Sequence, residues 1–257
     1  RLKEEGHYRY FFDVQKAWRG RQLKLVVGEA RGLIRSLETR SSLGEVHQGG
    51  FYQFIYDISK QVKYGKENKL EVKVKKYSEN ESVNQAERKA DYWVFGGIYR
   101  PVRLEVKPEN NINTVAIDAR ADGMFRADLG LEGNTSGGKV LVDILDREGS
   151  VISAFETEIP PESDYIRVEG KVESPLQWNP EFPHLYTAQF TLLDEDGEII
   201  HRVKEKIGFR TVEVREQDGI YVNGERIKYK GVCRHSYHSD HGRTSSKAYS
   251  IELVILL

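Results

Sequence analysis

His235, His238 and His241 stand three residues apart, with Asp240 among them. Imidazole and carboxylate groups are metal ligands, and on a helix this spacing would turn the rings toward one side. Gly242 follows at once, however, and the stretch has the composition of a loop. The commoner reading is a loop whose histidines hydrogen-bond locally, and no metal ligand is assigned. Cys233 lies two residues before His235, which on a strand would put both side chains on one face. A thiol and an imidazole so placed could act as nucleophile and base, but no third group is there to orient the imidazole. A core cysteine is the expectation. Gly96-Gly97 permits a close backbone turn, but it opens no helix, so it is not a phosphate-binding loop.

The bulk properties narrow the field. The chain has 257 residues, 39 of them basic and 40 acidic, for a net charge of −1. No field of one sign is available to attract nucleic acid or an anionic membrane. Lysines such as Lys73, Lys75, Lys204 and Lys206 alternate with other residues, as solvated strand faces do. The single cysteine excludes an internal disulfide framework and a cysteine zinc site. No apolar run reaches the ~18 residues that a membrane helix requires. Arg1-Leu2-Lys3-Glu4-Glu5 is too charged for a signal peptide, although the natural start can lie upstream. Compartment and oligomeric state stay open, a homo-oligomer included.

The elements that must position these groups are strands. Polar and apolar residues alternate in 22–26, 69–75, 103–106, 139–145, 165–168, 186–193 and 199–203. Such alternation marks half-buried antiparallel strands. Turn formers separate them: Asp122-Gly123, Ser136-Gly137-Gly138, Arg147-Glu148-Gly149, Asp194-Glu195-Asp196-Gly197 and Asn223-Gly224. Asp, Asn and Gly tolerate the positive φ that tight hairpins need. Almost no segment of helical period precedes residue 245. Residues 107–114 are polar, carry Pro108 and read as a linker between two sandwiches. Near the end, Ser245, Ser246 or Ser250 could cap a helix containing Ile251-Glu252-Leu253-Val254. That helix has no polar face, so its surface needs a partner, and the chain is expected to stop inside a domain.

Three groups of residues carry a resemblance. The first is His47-Gln48-Gly49-Gly50-Phe51-Tyr52-Gln53-Phe54, with Tyr56-Asp57-Ile58 and Gly65-Lys66-Glu67-Asn68-Lys69-Leu70-Glu71-Val72 after it. The second is Ala90-Asp91-Tyr92-Trp93-Val94-Phe95-Gly96-Gly97-Ile98-Tyr99-Arg100-Pro101-Val102. The third is Gly208-Phe209-Arg210, Tyr221-Val222-Asn223-Gly224 and Lys230-Gly231-Val232-Cys233-Arg234-His235. In order and separation they resemble glycoside hydrolase family 2, the second most closely its β-galactosidase-type members. The resemblance implies a mostly β fold: a jelly-roll β-sandwich, an immunoglobulin-like β-sandwich, then the opening of a truncated (β/α)8 barrel. The expected boundaries are 1–108 for the sugar-binding jelly roll, shortened at its start, 109–212 for the second sandwich and 213–257 for the barrel entry. The family's Asn-Gly turn is not recognisable in Leu37-Glu38-Thr39-Arg40-Ser41-Ser42-Leu43, and Cys233 replaces a common Asn.

The resemblance also implies chemistry: a retaining, exo-acting hydrolase of terminal β-linked sugars, most simply β-galactosides. Alternatives are a β-glucuronidase or β-mannosidase, or a non-catalytic carbohydrate-binding sandwich protein. Retaining hydrolysis uses two carboxyl groups about 5–5.5 Å apart. In the family both are barrel glutamates, expected beyond residue 257, so no catalytic residue is assigned and the chain alone is expected to be inactive. Glu67, Glu71, Glu105 and Glu169 have strand or turn contexts and are not candidates. Asp91 matches the family aspartate that accepts hydrogen bonds from sugar hydroxyls; otherwise it is a turn aspartate capping Tyr92-Trp93. His235 matches a histidine that contacts a sugar hydroxyl; otherwise it pairs with Asp240 or a backbone carbonyl. Arg234 is expected to be structural. Trp93, Phe95, Tyr99 and Trp178 could stack on a sugar, but aromatic residues fill cores more often. The partners implied are a carbohydrate and the barrel of the same chain, with no nucleic acid or membrane. No cofactor is assigned; some relatives hold Mg2+ or Na+ near this region through ligands that lie later.

Overall fold

The computed structural model describes residues 5–28, 30–31, 43–89, 96–229, 231, 233, 235, 237–238 and 240–256. It is mostly β, and the chain divides into two compact units. One comprises residues 1–106 together with 232–257, and the other residues 107–231. The segment expected to open a barrel is therefore shared between them.

The first unit contains β1 (Glu5–Val14), β2 (Gln22–Val27), β3 (Ala30–Arg31), β4 (Phe54–Asp57), β5 (Lys66–Lys75), the helix α1 (Glu81–Arg88), β6 (Gly97–Ile98), β7 (Val102–Lys107) and the helix α2 (Lys247–Leu256). Sheets form as β1-β5, β4-β2-β7 and β3-β6. The period of two in β5 sends Leu70, Val72 and Val74 into the core while Lys69, Glu71 and Lys73 stay outside it. These residues pack with Leu23, Leu25, Phe54 and Ile58. Asn68 is buried at the start of that run, but none of its polar groups is wasted. Its Oδ1 accepts from the Lys63 amide at 2.8 Å, and its Nδ2 donates to the Lys63 and Lys66 carbonyls at 2.9 and 3.0 Å.

Helix α1 departs from the sequence expectation. Asn80 makes it: the Asn80 Oδ1 accepts from the Ser82 amide at 3.0 Å, satisfying a helix-start donor. Glu81 in the first turn suits the positive end of the helix dipole. Helix α2 forms where a cap was expected, and Ser246 supplies it by accepting from the Tyr249 amide at 3.1 Å. Its Val254 and Ile255 are 71% and 79% exposed. No helix among the described residues is long and apolar enough to cross a membrane.

The second unit is a two-sheet sandwich. Its strands are β8 (Asn111–Ala119), β9 (Met124–Glu132), β10 (Lys139–Leu145), β11 (Val151–Glu158), β12 (Tyr165–Lys171), β13 (Tyr186–Leu193) and β14 (Ile199–Ile207). The order is β11-β10-β13-β14 in one sheet and β12-β9-β8 in the other. Register pairs Val142 with Phe190 and Phe190 with Val203, so apolar side chains stack in layers on the inner face. The tip glycines Gly123, Gly149 and Gly197 have φ of 86°, 91° and 82°, the region where a β-carbon is strained. Residues 111–114 are not a linker but the start of β8. Asn111 is fully buried there; its Nδ2 donates to the Pro108 carbonyl at 3.1 Å, while its Oδ1 is buried with no hydrogen-bond partner among the described residues. A small sheet of β15 (Val212–Arg215), β16 (Gly219–Val222) and β17 (Glu225–Arg226) completes this unit, its Asn223-Gly224 turn at φ of 52° and 83°.

Candidate functional site

Within the first unit, the two recognisable segments of the sandwich meet at one peptide. The Gly50 amide donates to the Glu87 Oε1 at 2.7 Å. The Gly50 carbonyl accepts from the Tyr99 hydroxyl at 2.5 Å. Glu87 lies in the last turn of α1, and Tyr99 directly follows β6. Gly49 makes the approach possible. Its φ is 110°, and a β-carbon there would lie 2.4 Å from the Tyr52 hydroxyl. Glu87 and Tyr99 are both buried, at 8% and 9% exposure. Glu87 is the one buried carboxylate among the described residues, and it is engaged with backbone.

His47 lines the same loop. Its ring stacks on Phe54 at 3.9 Å between centroids and meets the edge of Tyr52 at 5.4 Å. Burial holds its pKa below 6.5, against the opposing pull of the Gly49 backbone and the Glu87 charge, so the imidazole is neutral near pH 7. Gln48 reaches across to helix α1's approach, its Oε1 accepting from the Ser78 hydroxyl at 2.6 Å. Ser78 is fixed in turn by Asn84, whose Oδ1 accepts the Ser78 amide at 2.9 Å.

The C-terminal segment of this unit contributes a compact turn. His238 and Gly242 exchange backbone hydrogen bonds at 2.8 and 2.9 Å. The His238 ring stacks on His241 at 4.8 Å and meets Tyr249 of α2 at 4.6 Å. Its Nδ1 accepts from the Asp240 amide at 3.1 Å. Asp240 thus sits with His238, its carboxylate 3.9 Å from the same Nδ1. Among the described residues no three His, Cys, Asp or Glu side chains converge on a metal-sized space. After the turn, the Arg243 guanidinium lies over the rings of Tyr99 and Phe51, at 5.1 and 5.4 Å from their centroids.

His235 is exposed. Asp91, Trp93, Phe95 and Arg234 lie outside the described residues. Cys233 is exposed rather than in a core. Tyr99 and Trp178 are packing residues: Trp178 lies under the Arg210 guanidinium at 5.0 Å and its amide donates to the Phe209 carbonyl. Glu67 and Glu71 are on β5, Glu105 on β7 and Glu169 on β12. Glu71 is engaged with Lys69 and Arg9, at 2.6 and 3.0 Å, which lowers its pKa. Sequence reasoning missed Glu87 and Arg243. The signal for Glu87 was the helix cap at Asn80; nothing local marks Arg243.

Residues 109–210 match the model for glycosyl hydrolases family 2. A β-galactosidase from Thermoanaerobacter pseudethanolicus is 31% identical over 91% of this chain and 33% of its own length. A β-glucuronidase from Bacteroides fragilis is 24% identical over 98% of this chain and 38% of its own. The structure of Bifidobacterium dentium β-glucuronidase, complexed with coumarin-3-O-glucuronide, superposes on 98% of this chain and 47% of that one, with a TM-score of 0.84 and 26% identity. The chain spans about a third of the length of the β-galactosidase it matches. Similarity reaches across both units and through the segments that meet at Gly50, and the chain belongs to glycosyl hydrolases family 2.

Proposed function

We propose that this chain forms substrate-orienting walls of a retaining, exo-acting glycoside hydrolase, and that the two catalytic glutamates come from sequence beyond residue 257. The substrate proposed is a terminal β-linked sugar, a β-galactoside first. Asp91 accepts hydrogen bonds from sugar hydroxyls, and His235 makes a second contact. Charged hydrogen bonds of this kind are strong and directional. They accelerate the reaction to the extent that they tighten in the transition state. The carrying observation is Gly50, held by Glu87 and Tyr99, the two residues that flank 90–95 in sequence. A rigid base of this sort is what a positioned aspartate needs, since small misplacement of binding groups is costly in rate.

A β-glucuronide is the second reading, favoured by the 0.84 TM-score with the B. dentium enzyme. The β-galactoside is favoured by the 31% identity over most of the chain. The test is kcat/KM of the protein from the complete open reading frame on 4-nitrophenyl β-D-galactoside and β-D-glucuronide. Preference for the galactoside supports the first reading, and preference for the glucuronide replaces it. Turnover of neither removes the proposal.

A further inference from the structure

We infer that Arg243 is a positioning residue that clamps the turn after His235 to the loop at Gly50 and to Tyr99. The inference rests on the proposed sugar-binding role of His235. Phe51 directly follows Gly50, and Tyr99 donates to the Gly50 carbonyl. Arg243 lies over both rings at once, at 5.4 and 5.1 Å, so it grips the two neighbours of the pinned peptide. A guanidinium is attracted to the negative face of each ring, and its plane can serve two rings where a point charge serves one. On its own side Arg243 leaves a closed turn, fixed by the His238–Gly242 backbone pair and braced by His238 against Tyr249. The clamp therefore fixes the turn after His235 against the Gly50 loop, which neither segment can do by itself.

The test uses the protein from the complete open reading frame, with Arg243→Met and Arg243→Lys. Losing contacts that hold substrate and transition state alike raises KM and spares kcat. Arg243→Met is expected to raise KM by about tenfold and to change kcat by less than about threefold, and Arg243→Lys to recover part of the KM. Backbone hydrogen exchange reads the clamp without any substrate: in Arg243→Met, protection of residues 48–53 and 237–246 should fall together. Unchanged protection of 48–53 would overturn the clamp. Joint loss of protection with an unaltered KM would overturn its positioning role. A wild-type protein that hydrolyses neither galactoside nor glucuronide would count against the proposed function instead, and the exchange data would still decide the clamp.

Discussion

The Tyr99 hydroxyl donates to the Gly50 carbonyl at 2.5 Å, joining residues 49 positions apart. Both belong to segments that made the family recognisable in the sequence. The bond ties those two segments together at Gly50.

Tyr99→Phe keeps the ring and removes the donor. A buried carbonyl left without its partner destabilises by about 1–3 kcal/mol. Urea unfolding followed by a probe in the first unit should show a lower midpoint with an unchanged slope. An unshifted midpoint would mean that the carbonyl finds another donor.

Gly49→Ala is expected to destabilise by about 1–3 kcal/mol through backbone strain at φ of 110°, with the Tyr52 clash added. Tyr52 is exposed and can swing away, so strain should dominate. The double variant Gly49→Ala/Tyr52→Ala separates the two. It should stay well below Tyr52→Ala alone; equality of the two would assign the whole effect to the clash.

Stability should fall with acid. His47 and His201 are both held below the ordinary pKa of 6.5, chiefly by burial, and His201 accepts the Ile112 amide on its Nδ1 at 3.1 Å. As pH drops below about 6.5 the unfolded chain takes up these protons before the folded chain does. Stabilisation is thus fully present above 6.5 and is lost as pH falls toward the depressed folded values. Denaturation midpoints between pH 7.5 and 5 should decline, and less steeply in His201→Gln, whose amide oxygen can still accept from Ile112. An identical slope in that variant would remove His201 from the account.

Asp91→Ala, in the protein from the complete open reading frame, should lower kcat/KM by about tenfold or more. An unchanged value would take Asp91 out of the site and leave it a turn residue.

Much of the fold could be read from alternation. Strands β5 and β10 each bury one face, as does the first half of β13, and period two is the direct trace of that burial. In β9, Phe125, Ala127, Leu129 and Leu131 carry the same trace, unread behind the charged residues between them. Helix α1 escaped because its eight residues bury little beyond Glu87, so no apolar stripe announces it. Residues 111–114 passed for a linker because asparagine is usually a loop residue, and only tertiary contacts reveal that Asn111 is buried. The meeting at Gly50 was not legible at all. Nothing in local sequence says that Glu87 and Tyr99 share Gly50 as a partner, or that Arg243 reaches Phe51 and Tyr99, since long-range contacts leave no periodic mark.

Hydrolysis of 4-nitrophenyl β-D-galactoside by two purified proteins, the 257-residue chain and the product of the complete open reading frame, is the decisive comparison. The longer protein should release nitrophenol with retention of the anomeric configuration, while the 257 residues alone should release none. Turnover by the shorter chain would place the bond-breaking acids among residues assigned here to positioning, and would contradict the proposal.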